Sequence, residues 1–176
     1  DTQDVMYEYS NVIKQISNLP LDVHLMVENI KENIDKYIPL EPSIITFHYE
    51  ACKNDEEVEE LIKYIRQNNI KPAISIKPNT NIEQIKKFLP VLYMVLIMTV
   101  EPGKGGQKLI SDTLEKTKEL KKYLEENNLD TYIQVDGGIN KETINKAKEV
   151  GIDIAVVGNA IIKSENYSEI IAKLKE

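Results

Sequence analysis

The chain has 176 residues, enough for one domain with a sizeable core, and its 41% hydrophobic and 29% charged residues are typical of a folded protein rather than a disordered one. Its 22 basic and 29 acidic residues give a formal charge of −7, which disfavours a nucleic-acid-binding surface but still allows backbone amides to bind a small anion. One cysteine, Cys52, and the lack of any apolar run near the roughly 18 to 20 residues of a membrane span predict a cytoplasmic protein with no disulfide framework, thiolate metal cluster or membrane partner.

Short apolar runs rich in valine and isoleucine alternate with charged segments of helical periodicity. A helix is predicted first, over Asp1–Ser17, and it ends before Pro20. A strand is predicted next, at Leu21–Met26. The strand–helix pairs predicted after it are Ile44–Phe47 with Glu56–Asn68, Pro72–Ile76 with Asn81–Phe88, Met94–Val100 with Ser111–Glu126, Tyr132–Val135 with Lys141–Val150, and Ile154–Val157 with Ser168–Leu174.

Polar residues at two helix starts support these boundaries. Ser111 or Asp112 can cap one helix, and Asn140 with Thr143 lies where the next should begin. Because the strands are apolar on both faces, they predict an α/β protein with a parallel sheet of βα units, in one domain over residues 1–176. Six such units fit either an open doubly wound sheet or part of a (β/α)8 barrel, which typically needs about 250 residues.

Each predicted strand ends, at its carboxyl side, in residues unsuited to a core. In parallel α/β folds this edge of the sheet carries the active site, assembled from the loops after several strands. The pattern therefore favours an active site, and a barrel, over a purely structural sheet. The residues are His24, then His48 and Glu50, then Ser75 and Lys77, then Thr99 and Glu101, then Asp136, and finally Gly158 and Asn159.

Asp136 and His24 most need an explanation. A carboxylate at the end of an apolar strand costs free energy unless a metal, a cation or several donors hold it. Asp136 could simply bond turn amides, and His24 could be a satisfied core histidine, but imidazole and carboxylate at strand ends of one sheet favour a shared zinc-like ion. Met26 and Met98 can be core residues, and Cys52, with no activating neighbour, is predicted to be an inert thiol.

Glycines follow the last three predicted strands. Gly103, Gly105 and Gly106 let backbone amides approach a ligand closely, and the usual ligand of such a loop is phosphate. Gly158 follows the final strand, where barrels often complete a phosphate site. Glycines also simply form turns, but their recurrence after three successive strands favours phosphate binding.

Taken together, these motifs resemble the ribulose-phosphate 3-epimerase family, whose members are phosphate-binding TIM barrels. The resemblance covers the chain from about Leu19 to its end, in the family's order and with its approximate spacing. It implies a TIM (β/α)8 barrel of which this chain holds about six of the eight βα units. The motifs are LDVHLMV at 21–27, ITFHYEA at 45–51, MTVEPGKGGQK at 98–108, IQVDGGI at 133–139 and VVGNAI at 156–161.

The resemblance also implies roles for individual residues. His24 matches a metal ligand, Asp136 matches both a metal ligand and one of two catalytic carboxylates, and both would contact the substrate. Met26 and Met98 match methionines beside the reacting carbons, whereas His48 matches a histidine to which no role beyond shaping the site is assigned. The residues that match the phosphate-binding loops are Gly103, Lys104, Gly105, Gly106, Gly137, Gly138, Gly158 and Asn159.

The implied reaction interconverts D-ribulose 5-phosphate and D-xylulose 5-phosphate in the pentose phosphate pathway. A proton leaves C3, next to the C2 carbonyl, and the resulting enediolate is reprotonated on its opposite face. Two carboxylates would act as base and acid in turn, and one divalent ion, zinc or iron(II), would stabilise the developing charge. The family also implies a homo-oligomer that binds a small sugar phosphate.

The sequence departs from the family pattern at its start and at two loop positions. Nothing in Asp1–Pro20 matches the family's first two strands, the second of which carries a His-x-Asp pair that completes the metal site and supplies the other acid/base. We therefore expect the complete protein to have two further strands and this chain alone to be inactive. Lys104 replaces the usual phenylalanine, and Asn159 replaces the usual serine.

Three other functions remain open on sequence grounds. One is a sister epimerase that acts on a ketohexose 6-phosphate, such as D-allulose 6-phosphate, by the same chemistry. Lys104, in place of the usual phenylalanine, is compatible with this function. The missing second carboxylate favours a non-catalytic sugar-phosphate-binding module. A decarboxylase or synthase on the same barrel fits the HLMV and VEPGKGGQ motifs less well.

Overall fold

The computed structural model describes residues 2–176, which form seven α-helices and six strands in addition to short 3₁₀ segments. No helix in this part of the chain combines the length and apolar character needed to cross a membrane. The spatial order of the six strands in the sheet is the same as their order in the sequence. In chain order the elements are α1 Thr2–Ile16, β1 Asp22–Leu25, α2 Ile30–Tyr37, β2 Ile44–His48, α3 Asp55–Gln67, β3 Lys71–Ile76, β4 Met94–Met98, α4 Asp112–Glu126, β5 Tyr132–Asp136, α5 Ile144–Glu149, β6 Ile154–Val156, α6 Asn159–Ile162 and α7 Tyr167–Lys175.

The chain divides within β3 into two compact units, residues 1–73 and 74–176. In the first unit β1 and β2 pair in parallel, with Asp22 opposite Ile44 and Leu25 opposite Phe47. All five residues of β2 are buried, as the doubly apolar pattern predicts. A buried stripe on α3 adds to this core, and each fully buried aliphatic side chain contributes about 1.5–3 kcal/mol of burial free energy. The stripe consists of Val58, Leu61, Ile62 and Ile65.

Helix α3 begins at a reciprocal cap. The Asn54 side chain accepts a hydrogen bond from the Glu57 amide at 2.9 Å, and the Glu57 carboxylate accepts one from the Lys53 amide at 2.6 Å. Two amides that the helix cannot satisfy internally are thereby bonded. The sequence DEEVEE therefore starts the helix that covers the first unit's sheet, immediately after the turn that follows β2.

In the second unit β4, β5 and β6 pair in parallel. Met98 lies opposite Asp136, and Asp136 lies opposite Val156, so these strand ends are level. Every residue of β4 is buried, which confirms that the apolar run beginning at Met94 is a strand covered on both faces. The strand ends at Met98, two residues before the predicted end at Val100.

The predicted helix over residues 81–88 is absent. The structure has two 3₁₀ segments there, Ile82–Gln84 and Lys86–Val91. Pro90 lies inside the second segment; it donates no amide hydrogen bond and disfavours helical geometry in the residue before it. Helical periodicity alone did not reveal this, because apolar residues of tight turns can follow a similar spacing. The count of six strand–helix units implied a helix after the first strand without defining its bounds, and helix α2 occupies that position at Ile30–Tyr37.

The two predicted caps differ in outcome. Ser111 has helical backbone angles and makes no side-chain capping bond, so it does not cap α4. Asn140 accepts hydrogen bonds from the amides of Glu142 and Thr143 at 2.8 and 3.2 Å, as its position predicted. This turn occupies residues that were assigned to the helix, which is why α5 starts at Ile144 rather than at residue 141.

Candidate active site

In the first unit, two histidines meet at the carboxyl ends of neighbouring strands. The parallel register places His24 beside Thr46, and His48 lies two residues further along β2, so all three side chains project from the same face. The Nε2 atoms of His24 and His48 are 2.9 Å apart, a hydrogen-bond distance. The two ring planes are nearly parallel, inclined by 20°, and their centroids are 4.9 Å apart. Sequence reasoning did not predict this contact, because it depends on strand register.

Glu50 extends this pair into a row of three polar side chains. It lies in the 3₁₀ turn that follows β2, and its Oε2 atom is 3.4 Å from His48 Nδ1. Within residues 2–176, His48 Nδ1 has no hydrogen-bond partner, since 3.4 Å is slightly beyond the usual range. His48 is only 5% exposed. We call His24, His48 and Glu50 the histidine relay.

The two methionines differ in environment. Met26 follows β1 and is 45% exposed. It borders a cavity of about 480 Å³ in the first unit, together with His24 and Asp22. Met98, by contrast, is 2% exposed and packs in an apolar cluster with Leu96 and Val100. The geometry therefore favours a binding role for Met26 more than for Met98.

In the second unit, Asp136 is the last residue of β5 and is half-buried. The Thr99 amide donates a hydrogen bond to the Asp136 carbonyl at 2.9 Å, and the Thr99 hydroxyl donates to the Gly137 carbonyl at 2.6 Å. Thr99 thereby fixes the backbone on which the Asp136 carboxylate is mounted. The residue after β4 thus positions the residue at the end of β5.

The glycines after β5 are required by packing. Gly137 has φ +124°, and a Cβ atom there would lie 2.4 Å from Val100 Cγ2. Gly138 has φ +67°, and a Cβ atom there would lie 2.4 Å from the Leu109 amide nitrogen. L-residues with side chains rarely adopt such positive φ values, and the neighbouring atoms leave no room for a Cβ. The sequence VDGG therefore reflects close backbone packing beside Asp136.

The glycines after β4 and β6 include positions that face open space. A Cβ atom on Gly103, Gly105 or Gly158 would have no atom within 4 Å. At Gly106 a Cβ atom would lie 2.8 Å from Asn159 Nδ2, so the loop after β4 lies against the start of α6. This is the approach of two loops that a phosphate site of backbone amides needs.

Gln107 holds the loop after β4 in place, a role that sequence reasoning missed. Its Nε2 group donates hydrogen bonds to the carbonyls of Glu101 and Lys104 at 2.6 and 2.7 Å. The sequence feature that could have predicted this role is a long amide side chain at the end of a glycine-rich segment. Lys104 itself is exposed, so it does not cover the loop as a buried aromatic would.

Cys52 lies beside the histidine relay. Burial, together with the smaller effect of the nearby carboxylates of Glu57 and Glu50, raises the pKa of its thiol from 9.0 to about 12. A thiol with this pKa is almost entirely protonated at neutral pH and is a poor nucleophile. The predicted inertness of Cys52 agrees with its environment.

The donors for a divalent ion are distributed along the chain. Within residues 2–176, no group of three or more His, Cys, Asp or Glu side chains could hold a metal ion. The side chains of His24 and Asp136, an imidazole and a carboxylate, are each of a kind that binds zinc or iron(II).

Comparison with solved structures identifies the class of fold. The chain superimposes on KGPDC from Streptococcus mutans with a TM-score of 0.72 over 96% of this chain and 76% of that one, at 13% identity. It superimposes on 3-hexulose-6-phosphate synthase from Salmonella typhimurium with a TM-score of 0.65 over 94% and 77%, at 16% identity. At these identities the likeness concerns the fold alone. The chain has a TIM (β/α)8 barrel fold, of which it holds six βα units.

Sequence comparison identifies the family. The sequence model of the ribulose-phosphate 3-epimerase family matches residues 5–162. A ribulose-phosphate 3-epimerase from Helicobacter pylori is 40% identical over 88% of this chain and 70% of its own length. One from Methanocaldococcus jannaschii is 38% identical over 93% of this chain and 68% of its own length. The chain belongs to the ribulose-phosphate 3-epimerase family, a family of isomerases.

Proposed function

We propose that the complete protein interconverts D-ribulose 5-phosphate and D-xylulose 5-phosphate. Family membership supports the reaction, and the arrangement of the second unit supports the substrate class. The observation that carries the proposal is the level pairing of β4, β5 and β6, which brings a half-buried carboxylate and two glycine loops to one edge of the sheet. Such an edge can bind a sugar phosphate by its phosphate and act on a carbon of its chain.

Asp136 is the proposed acid/base. Its carboxylate would remove the C3 proton from one epimer and return a proton to the same face when the reaction runs in reverse. Thr99 holds the backbone at this position through its bonds to Asp136 and Gly137. The carboxylate for the opposite face has no counterpart among the motifs of residues 1–176.

The His24 imidazole in the first unit and the Asp136 carboxylate in the second are each side chains of a kind that binds a divalent ion. When bound, such an ion supplies Lewis-acid stabilisation of the negative charge that develops on the substrate oxygens. Met26 is a proposed substrate contact, and its exposure is compatible with that role.

The phosphate would bind to backbone amides of the loop Gly103–Gly106 and of Gly158, with the Asn159 amide group as a side-chain donor. The open space at Gly103, Gly105 and Gly158 supports this assignment. Gly137 and Gly138 contribute by allowing close packing of the turn, since both have positive φ and tight neighbours.

Replacing Asp136 by Asn in the complete protein tests the proposal. The variant should lose epimerisation in both directions, because an amide cannot accept the C3 proton, whereas inorganic phosphate should still compete for binding. Asp130→Asn, an exposed carboxylate just before the same strand, is the matched control and should leave turnover unchanged. Retained exchange of the C3 proton with solvent from both epimers in the Asp136 variant would contradict the assignment.

A ketohexose 6-phosphate is the second candidate substrate. Lys104 favours it, because this residue is exposed on the loop proposed to bind phosphate and does not close the site as the family's phenylalanine would. Turnover of the complete protein should be measured on D-ribulose 5-phosphate and D-allulose 6-phosphate side by side. A higher kcat/KM on the hexose phosphate would contradict the pentose phosphate proposal and favour the hexose phosphate as substrate.

A homo-oligomeric state and a cytoplasmic location stay predictions.

A further inference from the structure

Lys116 on helix α4 holds the turn that follows β3. Its ammonium group donates hydrogen bonds to the carbonyl oxygens of Lys77 at 3.0 Å and of Pro78 at 2.5 Å. Hydrogen bonds from a charged donor are shorter and stronger than those between neutral groups. All three residues belong to the second unit, and Lys116 lies outside all of the family motifs. One lysine thus joins α4 to a segment 38 and 39 residues earlier in the chain.

The turn itself is closed by a backbone hydrogen bond. The Thr80 amide donates to the Lys77 carbonyl at 3.1 Å, so residues 77–80 form a four-residue turn with Pro78 at its second position, where proline is favoured. The Lys77 carbonyl therefore accepts from both the Thr80 amide and the Lys116 ammonium group. The backbone bond and the proline ring set the shape of the turn, whereas Lys116 sets its place against α4.

The turn lies at the edge of the sheet that carries the proposed sugar-phosphate site. It follows the carboxyl end of β3, and β4 is a neighbour of β3 in the sheet. The loop Gly103–Gly106, which is proposed to bind phosphate, follows β4, and α4 begins after that loop. In parallel α/β folds the loops after several strands together form one site. The turn and the phosphate loop therefore belong to the same edge.

Helix α4 can support this turn because its start is tied to the end of β4. The Ile110 amide donates to the Thr99 carbonyl at 2.9 Å, and the Thr113 hydroxyl donates to the Ile110 carbonyl at 2.6 Å. The Thr99 amide in turn donates to the Asp136 carbonyl at the end of β5. Hydrogen bonds thus connect the ends of β5 and β4 with the start of α4, and Lys116 extends this connection to the turn after β3.

The environment of Lys116 differs from that of an ordinary surface lysine. Lysine side chains usually leave the ammonium group in water, because burial of the charge costs free energy. Lys116 is half-buried, and two backbone carbonyls accept hydrogen bonds from its ammonium group. Lys118, two residues further along α4, is exposed. A solvated helix face therefore explains Lys118 but not Lys116.

We propose that Lys116 is a positioning residue that holds the turn of residues 77–80 as one wall of the sugar-phosphate site. The wall role rests on the proposed function, whereas the bonds of Lys116 to the turn do not. An ammonium group suits this role because its three donors can serve two carbonyls at once. A side chain of similar length without donors would leave both carbonyls with one partner fewer, and the turn could then move relative to the loop Gly103–Gly106.

Hydrogen exchange of the Thr80 amide measures the hold on the turn without any substrate. In the full chain, Lys116→Met should speed this exchange about tenfold or more, the effect of losing a hydrogen bond to a charged group. Lys116→Arg, which keeps charged donors, should restore part of the protection. Lys118→Met, at an exposed site on the same helix, is the matched control and should change nothing.

Unchanged exchange of the Thr80 amide in a folded Lys116→Met chain would overturn the proposal. Lys116→Gln serves where the methionine variant does not fold. Its shorter amide side chain lacks the charge, so exchange should still be faster than in the unsubstituted chain. Exchange as slow as in the unsubstituted chain would count against the proposal equally.

Kinetics of the complete protein measure the role of the turn at the site. Lys116→Met should raise the KM for D-ribulose 5-phosphate about three- to tenfold and lower kcat less than about twofold, because the turn would contact the sugar and not the acid/base. The inhibition constant of inorganic phosphate should stay unchanged, since Gly103–Gly106 would bind it. A general loosening of the fold would weaken phosphate binding too. A KM equal to that of Lys118→Met would overturn the wall role.

The two measurements let the two proposals fail separately. A complete protein without epimerase turnover, in which Lys116→Met still speeds Thr80 exchange, would remove the proposed function and leave the hold on the turn. An active epimerase with unchanged Thr80 exchange in the folded variant would do the reverse.

Discussion

Single residues of the candidate site are constrained for different physical reasons. Gly138 is needed because its φ is +67° and the Leu109 amide lies where its Cβ would be. Gly105 has open space around it, so its lack of a side chain serves no packing purpose within the described residues. Both look the same in the sequence, as part of GKGGQ or VDGG. Only the surroundings separate a packing glycine from one that leaves room for a ligand.

Replacing these two glycines by alanine should separate the two constraints. Gly138→Ala should lower the free energy of unfolding by about 1–2 kcal/mol from backbone strain alone, and by more because its Cβ meets the Leu109 backbone. Gly105→Ala should leave stability unchanged or slightly raised, since alanine restricts the unfolded chain. Denaturant unfolding of both variants measures the difference. Equal stability of the two variants would contradict the packing argument.

Cys52 should react slowly with alkylating reagents in the folded chain. A rise of its pKa from 9.0 to about 12 lowers the thiolate fraction at mildly alkaline pH roughly thousandfold. Because the pKa is raised, the thiol's contribution to stability is full below about pH 9 and is lost as pH rises towards 12. Iodoacetamide labelling, followed by intact mass, should be much faster in denaturant. Fast labelling of the folded chain at the rate of a free thiol would contradict this.

At the scale of elements, the loop after β4 depends on one side chain. Gln107 bonds two carbonyls of the loop, at Glu101 and Lys104, while Gly103 and Gly105 give the backbone freedom to move. An otherwise bare loop is thus held in one conformation by an amide at its end. A phosphate site built of backbone amides needs such ordering before the ligand arrives.

Gln107→Ala should loosen this loop. Trypsin should cut more readily at Lys104, because the segment can then adopt the extended form that proteases bind, while far-UV circular dichroism stays unchanged. In the complete protein the KM for the sugar phosphate should rise more than kcat falls. Gln67→Ala, at an exposed site on α3, is the control for both measurements. An unchanged cleavage rate at Lys104 would show that the loop is ordered by other contacts.

The elements also show which parts of the secondary structure hydrophobic periodicity can predict. It identified the six strands because buried runs such as Ile44–Phe47 and Met94–Met98 are apolar on both faces, a pattern that does not depend on their neighbours. It misassigned residues 81–88, where Pro90 and the turn geometry favour 3₁₀ segments. Caps were predictable only where the side chain reaches its own turn, as Asn140 does and Ser111 does not.

For the molecule as a whole, we expect the chain of residues 1–176 by itself to show no epimerase turnover. Among the motifs of this sequence, Asp136 is the one carboxylate proposed as an acid/base, whereas the proposed inversion at C3 requires such a group on each face of the substrate. A coupled assay on a chain whose mass is verified as residues 1–176 is the measurement, with a Helicobacter pylori relative as the positive control. Substantial turnover by the verified chain would refute the expectation.

The sequence by itself determined the succession of βα units, the family, and the residue types at the strand ends. These follow from local composition and from motifs that are contiguous in the chain, such as LDVHLMV and VEPGKGGQK. Only the tertiary structure decided which of those residues touch. The His24–His48 contact, the carboxylate of Glu50 beside it, and the approach of Gly106 to Asn159 depend on strand register and loop packing. Register joins residues distant in sequence, so no local pattern encodes it.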